Sequence, residues 1–179
     1  MQGMATLHYA ECAPFLEASL RDSNLLVRGN AALALSDLRI ADASALVLSM
    51  FANEQDTIAI QYAAGALRTL GVKAAAPSIR EKISVFNGQT RSTLIQVLGT
   101  LGSDDDLPLI AGYLNDAMGS EIAATRAVEE LAGVNFGPLR TGIGGYPPPE
   151  LIAARAWWAS HKDAWPRCDD CHPSVIRNK

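Results

Sequence analysis

The stretch AALALSDL at residues 31–38 decides the fold of this chain, because its apolar pattern recurs three more times. The recurring leucines are Leu35, Leu67, Leu98 and Leu131, at steps of 32, 31 and 33 residues. An apolar residue lies four places before each leucine, and another lies three places after it. Spacings of three and four residues place side chains on one face of a helix. A helical face repeated every thirty-odd residues predicts a solenoid, whose units bury their apolar faces against their neighbours.

A second series of residues marks a second helix in each repeat. Its members, Pro14, Ala45, Pro77 and Pro108, lie at steps of 31, 32 and 31 residues, and an apolar residue follows each of them by six positions. Proline fits the first turn of a helix, because its missing N–H would have no intrahelical acceptor there. The repeat is therefore predicted to be a first helix, a tight turn and a second helix.

Capping residues and glycines support this division. The segment Ser103-Asp104-Asp105 is predicted to cap a helix that begins near Leu107, since acidic residues favour a helix N-terminus. Three glycines follow first helices, at positions where a residue that is free to adopt a positive φ ends a helix well: Gly71, Gly102 and Gly133.

The period fails after Gly133, and a different C-terminal structure is expected. Residues 135–149 are rich in glycine and proline and predict a loop with a stiff polyproline end. A helix from Glu150 to about His161 is expected to cap the repeats, while the stretch from Trp165 onward lacks periodicity and predicts a mobile tail. The predicted organisation is a repeat solenoid over 1–134, a loop and capping helix over 135–165, and a flexible tail over 166–179.

Several residues of the first full repeat stand in the order of a known repeat: Asp22, Val27-Arg28, Ala31-Ala32 and Ala34-Leu35. This order resembles the bacterial HEAT-like repeat of the phycobilisome-lyase type, and Arg91 keeps the arginine whereas Ile60 replaces it. The resemblance covers about residues 8–134. It implies an all-α, right-handed superhelix of helix pairs, an armadillo-like fold whose second helices line the concave side. No residue of this chain matches a lyase site.

The repeat pattern favours binding over catalysis, because a solenoid presents a surface instead of a self-contained pocket. The predicted function is a non-catalytic protein–protein interaction or scaffold module whose partner is another protein, with no catalytic residues. Charged side chains assigned to the second helices are candidate partner contacts: Asp42, Lys73, Arg80, Glu81, Lys82 and Asp106.

Composition and charge argue against other classes of protein. The net charge of −4 lacks the basic excess that phosphate contacts require, so nucleic acid is not the expected partner. No segment approaches the roughly 20 apolar residues of a membrane span, and the first twenty residues do not form a signal peptide. A cytoplasmic protein is expected.

The motif Cys168-Asp169-Asp170-Cys171-His172 matches the attachment sequence of c-type haem. Cys168, Cys171 and His172 are also three candidate zinc ligands, with His161 as a possible fourth. The context argues against haem, because only seven residues and no methionine follow His172. No cofactor and no metal site are expected. The alternative function is a cofactor- or metal-binding protein, or a lyase-like enzyme, that uses this motif.

The remaining polar groups have structural interpretations. The run Asp104–Asp106 is predicted to be a solvated helix N-terminus and not a metal site, and Glu129 and Glu130 are expected to be solvated. Cys12 is expected to pack in an apolar helix four residues after His8. Of the adjacent Trp157 and Trp158, one is predicted to pack in the cap, because neighbouring helical side chains point about 100° apart.

Overall fold

The computed structural model describes residues 12–40, 42–116, 119–138 and 146–165. Within these ranges all regular structure is helical and no strand occurs. The helices are α1 (12–19), α2 (Leu25–Asp37), α3 (Ala43–Asn53), α4 (Thr57–Leu70), α5 (Ala76–Val85), α6 (Gly88–Leu101), α7 (Leu107–Gly112), α8 (Glu121–Ala132) and α9 (Pro149–His161). Short 3-10 turns adjoin α5, α7 and α9. None of the described helices is long and apolar enough to cross a membrane.

The predicted alternation of first and second helices is confirmed. The first helices are α2, α4, α6 and α8, and the second helices are α1, α3, α5 and α7. Leu35, Leu67 and Leu98 are fully buried, as the core positions require. Leu131 is only partly buried, and α8 instead fills the core with smaller side chains such as Ala127.

The second helices begin where the proline series predicts. Pro77 is the second residue of α5 and Pro108 is the second residue of α7. The apolar residues six positions after the four marks are all buried, which confirms that these helices turn this face inward: Leu20, Phe51, Ile83 and Leu114.

The chain divides into two compact units, Met1–Lys82 and Ile83–Lys179. In the first unit, α2 packs along α4, and α3 packs against both. In the second unit, α6 packs along α8, and α7 and α9 pack against α8. The division falls within α5.

The glycine at the end of α6 does not have the predicted conformation. Gly71 and Gly133 adopt positive φ angles of 68° and 64°, as predicted. Gly102 has φ −75° and ψ −167°, which is extended backbone. A Cβ at Gly102 would lie 2.5 Å from Oδ2 of Asp106, so this glycine provides room for a neighbouring carboxylate.

Arginines tie the first helices α2 and α6 to the turns around them. Arg28 donates to both carboxylate oxygens of Glu54, at 2.6 and 3.0 Å, and to two carbonyl oxygens of the turn before α2. Arg91 donates to the carbonyl of Phe86 at 2.8 Å and pairs with Asp116 at 3.4 Å. Both arginines therefore connect the turn before their own helix with an acidic residue about 25 positions later.

The C-terminal helix is present, and of the stretch from Trp165 onward, which lacks periodicity, the structure describes Trp165 alone. The helix α9 starts at Pro149, within one residue of the prediction. Trp165, which was assigned to the tail, is buried, and its Nε1 donates to the carbonyl of Asp104 at 2.7 Å. Burial of the apolar ring with a hydrogen bond for its single N–H group stabilises a tryptophan. Helical periodicity could not predict this burial, because Trp165 lies after the end of α9.

Gly99 is expected to be essential for the close packing of α6 on α8. A Cβ at Gly99 would lie 2.7 Å from the Cα of Ala127, well inside contact distance. We expect Gly99→Ala to lower the free energy of unfolding by about 1–3 kcal/mol, because overpacking outweighs the better helix propensity of alanine. At Gly65 the nearest group is a methyl of Leu33 at 3.9 Å, so Gly65→Ala is the matched control. It is expected to stabilise by about 0.5–1 kcal/mol in urea unfolding. Equal effects of the two substitutions would contradict this account.

Glu54 is expected to make the free energy of unfolding of the first unit depend on pH in the acid range. Burial alone raises the pKa of this carboxyl, but the hydrogen bonds from Arg28 and from the adjoining turn outweigh it, so the pKa lies below its ordinary value of 4.5. A lowered pKa contributes stability that is present above pH 4.5 and is lost as the pH falls through the folded-state pKa.

We therefore expect Glu54→Gln to lower the free energy of unfolding by about 1–3 kcal/mol at pH 7, since a charge-assisted pair is lost. The difference from the wild type should shrink below pH 4.5, where the wild-type carboxylate also becomes protonated. Urea unfolding across pH 3–7 measures both effects. The exposed Glu81→Gln is the control, and a constant difference at every pH would refute the assignment.

Candidate functional site

A groove in the first unit is lined by side chains of α1, α2 and α3. It has a volume of about 460 Å³. It is lined by Glu17, Leu20, Arg21, Asp22, Arg28, Leu46, Ser49, Met50, Asn53 and Glu54. We call it the α1–α3 groove, since its two long walls come from these consecutive second helices. The sequence analysis did not single out most of these residues.

Arg28 and Glu54 are the most buried charged pair of the α1–α3 groove. Their side chains are 18% and 8% exposed. The hydrogen bonds that Arg28 donates to Glu54 raise the pKa of Arg28 above its already high ordinary value, so the guanidinium remains charged. Glu54 Oε1 also accepts hydrogen bonds from the backbone N–H groups of Gln55 and Asp56, at 3.0 and 2.9 Å. Both charges are thus bonded within the fold.

The other polar side chains that line the groove lie on its walls. Glu17 lies on α1, and Arg21 lies in the turn that follows α1 and is exposed. On α3, Ser49 and Asn53 are exposed, and the Asn53 amide donates to the Ser49 carbonyl at 2.8 Å. The walls therefore present acidic, basic and amide groups to an approaching molecule.

Apolar side chains lie between these polar groups. Leu20 is buried, while Leu46 and Met50 on α3 are half-buried. Neither histidine nor cysteine is among the lining residues. The groove therefore combines side chains of both charges with apolar side chains.

Four of the predicted partner contacts lie at the surface of the first unit. Asp42, Lys73 and Glu81 are exposed, and Arg80 is partly exposed and makes contacts within the fold. Asp42 lies just before α3 in the left-handed conformation, with φ 60°. None of these four lines the α1–α3 groove.

The other two predicted contacts are interior groups. Lys82 is 7% exposed, its Nζ donates to the carbonyl of Glu54 at 2.8 Å, and it lies over the ring of Phe51. Burial lowers the pKa of Lys82. Asp106 is 1% exposed and accepts the backbone N–H of Ser103 at 2.9 Å in a capping box. A partner could reach neither side chain without breaking these bonds, so we remove both from the candidate surface.

The Cys168-x-x-Cys171-His172 motif lies outside the described residues. His161, its suggested fourth ligand, stacks on the ring of Trp157 at 4.6 Å. Within the described ranges, no group of three or more His, Cys, Asp or Glu side chains could hold a metal ion. Cys12 is exposed and not packed as expected, and His8 is not among the described residues.

The acidic residues have more specific structural functions than solvation. The segment Asp104–Asp106 forms the 3-10 turn before α7, as the helix N-terminus interpretation predicts. Glu129 accepts hydrogen bonds from Arg126 and from the backbone N–H of Phe136, so the prediction that it is simply solvated is wrong. Glu130 is exposed and accepts a hydrogen bond from Thr100.

An aromatic cluster packs α9 against the chain that follows α8. The ring of Trp157 meets the edge of Phe136 at 6.2 Å and that of Trp165 at 6.5 Å. Trp158 is partly exposed. One tryptophan of the adjacent pair therefore packs in the cap, as predicted.

Glu54 is the main site residue that the sequence analysis missed. A signal was present, because an acidic residue follows each repeat arginine at nearly the same distance. Glu54 follows Arg28 by 26 positions and Asp116 follows Arg91 by 25. Recognition of this spacing requires pairing residues across a whole repeat, whereas helix periodicity operates over only a few positions.

Comparisons of the chain with protein-family models, with curated proteins and with solved structures find no match. The site is therefore interpreted from its own residues and geometry.

Proposed function

We propose that this chain is a non-catalytic protein-interaction module built from HEAT-like helix pairs. The regular alternation of first and second helices supports the repeat assignment. The packing of α2 along α4, and of α6 along α8, agrees with it, since repeats of this kind stack like helices on like helices.

The α1–α3 groove is the observation that carries the proposal. Two successive second helices line it, and second helices are the elements that such repeats use for binding. Its deepest charged pair is fully bonded within the fold, which leaves Glu17, Arg21, Ser49 and Asn53 on the walls for recognition. The surface positions Asp42, Lys73, Arg80 and Glu81 extend the proposed contact surface to α5.

The proposed occupant is a polypeptide segment that carries charges of both signs. The groove offers an acidic side chain on α1 and a basic one in the turn after it, with half-buried leucine and methionine opposite them. Complementary charges give such a complex its specificity and association rate, and the apolar contacts add affinity.

Exchanging the two wall charges is expected to abolish partner binding without unfolding the protein. The double variant Glu17→Arg/Arg21→Glu keeps the net charge but reverses the charge pattern of α1 and the turn after it. We expect capture of the partner by affinity purification from the native cell, quantified by mass spectrometry, to fall at least about tenfold, equivalent to about 1.4 kcal/mol.

The matched control makes the same exchange on the first helices. Asp37 ends α2 and Arg68 lies in the last turn of α4, and both are exposed. Asp37→Arg/Arg68→Glu should capture the partner like the wild type. Equal loss in both variants would reject the groove as the site. A visible absorbance spectrum that disappears in Cys168→Ser would favour the cofactor-binding alternative over this proposal.

A further inference from the structure

Asn87 and Gly88 stand at the start of α6, and Asn87 is the one asparagine of the sequence that a glycine follows. Asn87 is exposed, its backbone is extended, and its side chain makes no capping hydrogen bond to α6. Four other asparagines use their side chains in hydrogen bonds within the fold: Asn24, Asn30, Asn53 and Asn135. The side-chain amide of Asn87 is therefore less firmly held than those four and is open to water.

Gly88 leaves the approach to the Asn87 side chain open. Its φ is positive, at 56°, and outside the adjacent residues no side chain lies within 4 Å of the position that a Cβ would occupy. Because Gly88 is the first residue of α6, its backbone N–H has no acceptor within the helix. Glycine also places no side chain of its own beside this nitrogen. The backbone nitrogen of Gly88 is thus accessible to Cγ of Asn87, one residue before it.

We propose that Asn87–Gly88 is a self-modifying site, at which the chain converts Asn87 to aspartate and isoaspartate without an enzyme. The Gly88 nitrogen loses its proton to water and attacks Cγ of Asn87. The bond from Gly88 N to Cγ forms, the bond from Cγ to Nδ2 breaks, and ammonia leaves, which produces a succinimide ring. Water then opens the ring. Cleavage of the new bond gives aspartate, whereas cleavage of the original peptide bond leaves the chain linked through Cγ, as isoaspartate.

The two products have different effects on the second unit. Both carry a new negative charge at the start of α6, which the helix dipole favours. Isoaspartate also lengthens the main chain between Phe86 and Arg91 by one atom. Arg91 donates through Nε to the Phe86 carbonyl at 2.8 Å, and its backbone N–H donates to the Asn87 carbonyl at 3.4 Å. Isoaspartate moves the Asn87 carbonyl out of the main chain and changes the span that Arg91 bridges, so it weakens both bonds.

Peptide mapping of the full chain during incubation in mildly alkaline buffer tests the site. Mass spectrometry, after chromatography that separates aspartate from isoaspartate, should find both products at Asn87 before any other asparagine converts. Asn87→Gln is the matched control, because glutamine must close a larger ring, which forms far more slowly, and because no capping bond is lost. Conversion of Asn53 before Asn87, or an Asn87 that stays unchanged throughout the incubation, would overturn the proposal.

Thermal unfolding of the separated products tests the structural consequence. The isoaspartate form should unfold about 3 °C below the fresh wild type. Freshly purified Asn87→Asp, which stands for the aspartate product, should unfold at or slightly above the wild-type midpoint. Incubated Asn87→Gln should keep its initial midpoint. An isoaspartate form as stable as the fresh wild type would refute the effect on Arg91, and an equal loss in incubated Asn87→Gln would refute Asn87 as its source.

Discussion

Each of the two units contains one arginine–carboxylate ion pair that links two turns of the chain, and we call this pair the tie. In each case an arginine near the start of a first helix bonds both to the turn that precedes this helix and to an acidic residue just after the second helix of the same pair. A partly buried ion pair gains little net free energy, because desolvation offsets most of the attraction. Its directional hydrogen bonds instead set how consecutive turns align, and the loss of either partner leaves a buried charge uncompensated. Glu54 extends this tie, because its carbonyl also receives the Lys82 ammonium.

The second repeat lacks the arginine of this pair. Ile60 occupies the arginine position of α4 and is fully buried. The arginine of the pair is therefore absent from the helix pair of α4 and α5. An apolar residue at this position strengthens the local core but provides no directional bond to a later turn.

Helix phase was predictable from the sequence, whereas long-range polar pairing was not. The period of about 32 residues and the proline series located the helices, because burial of one apolar face depends only on local spacing. The exceptions share one cause. Gly102, Lys82, Asp106 and Trp165 each have a conformation or a burial that a polar partner determines, and local spacing does not reveal such partners. The α1–α3 groove was missed for the same reason, since side chains from three helices form it.

The tie also constrains how the proposed groove could recognise a partner. Both oxygens of Glu54 and three nitrogens of Arg28 already take part in hydrogen bonds within the fold. A ligand that competed for this pair would have to break a charge-assisted pair, which is among the stronger hydrogen bonds of a protein. The pair therefore acts as a rigid base for the groove and not as its recognition element. Specificity is then left to the wall residues, which can change without loss of the tie that orders the helices beneath them.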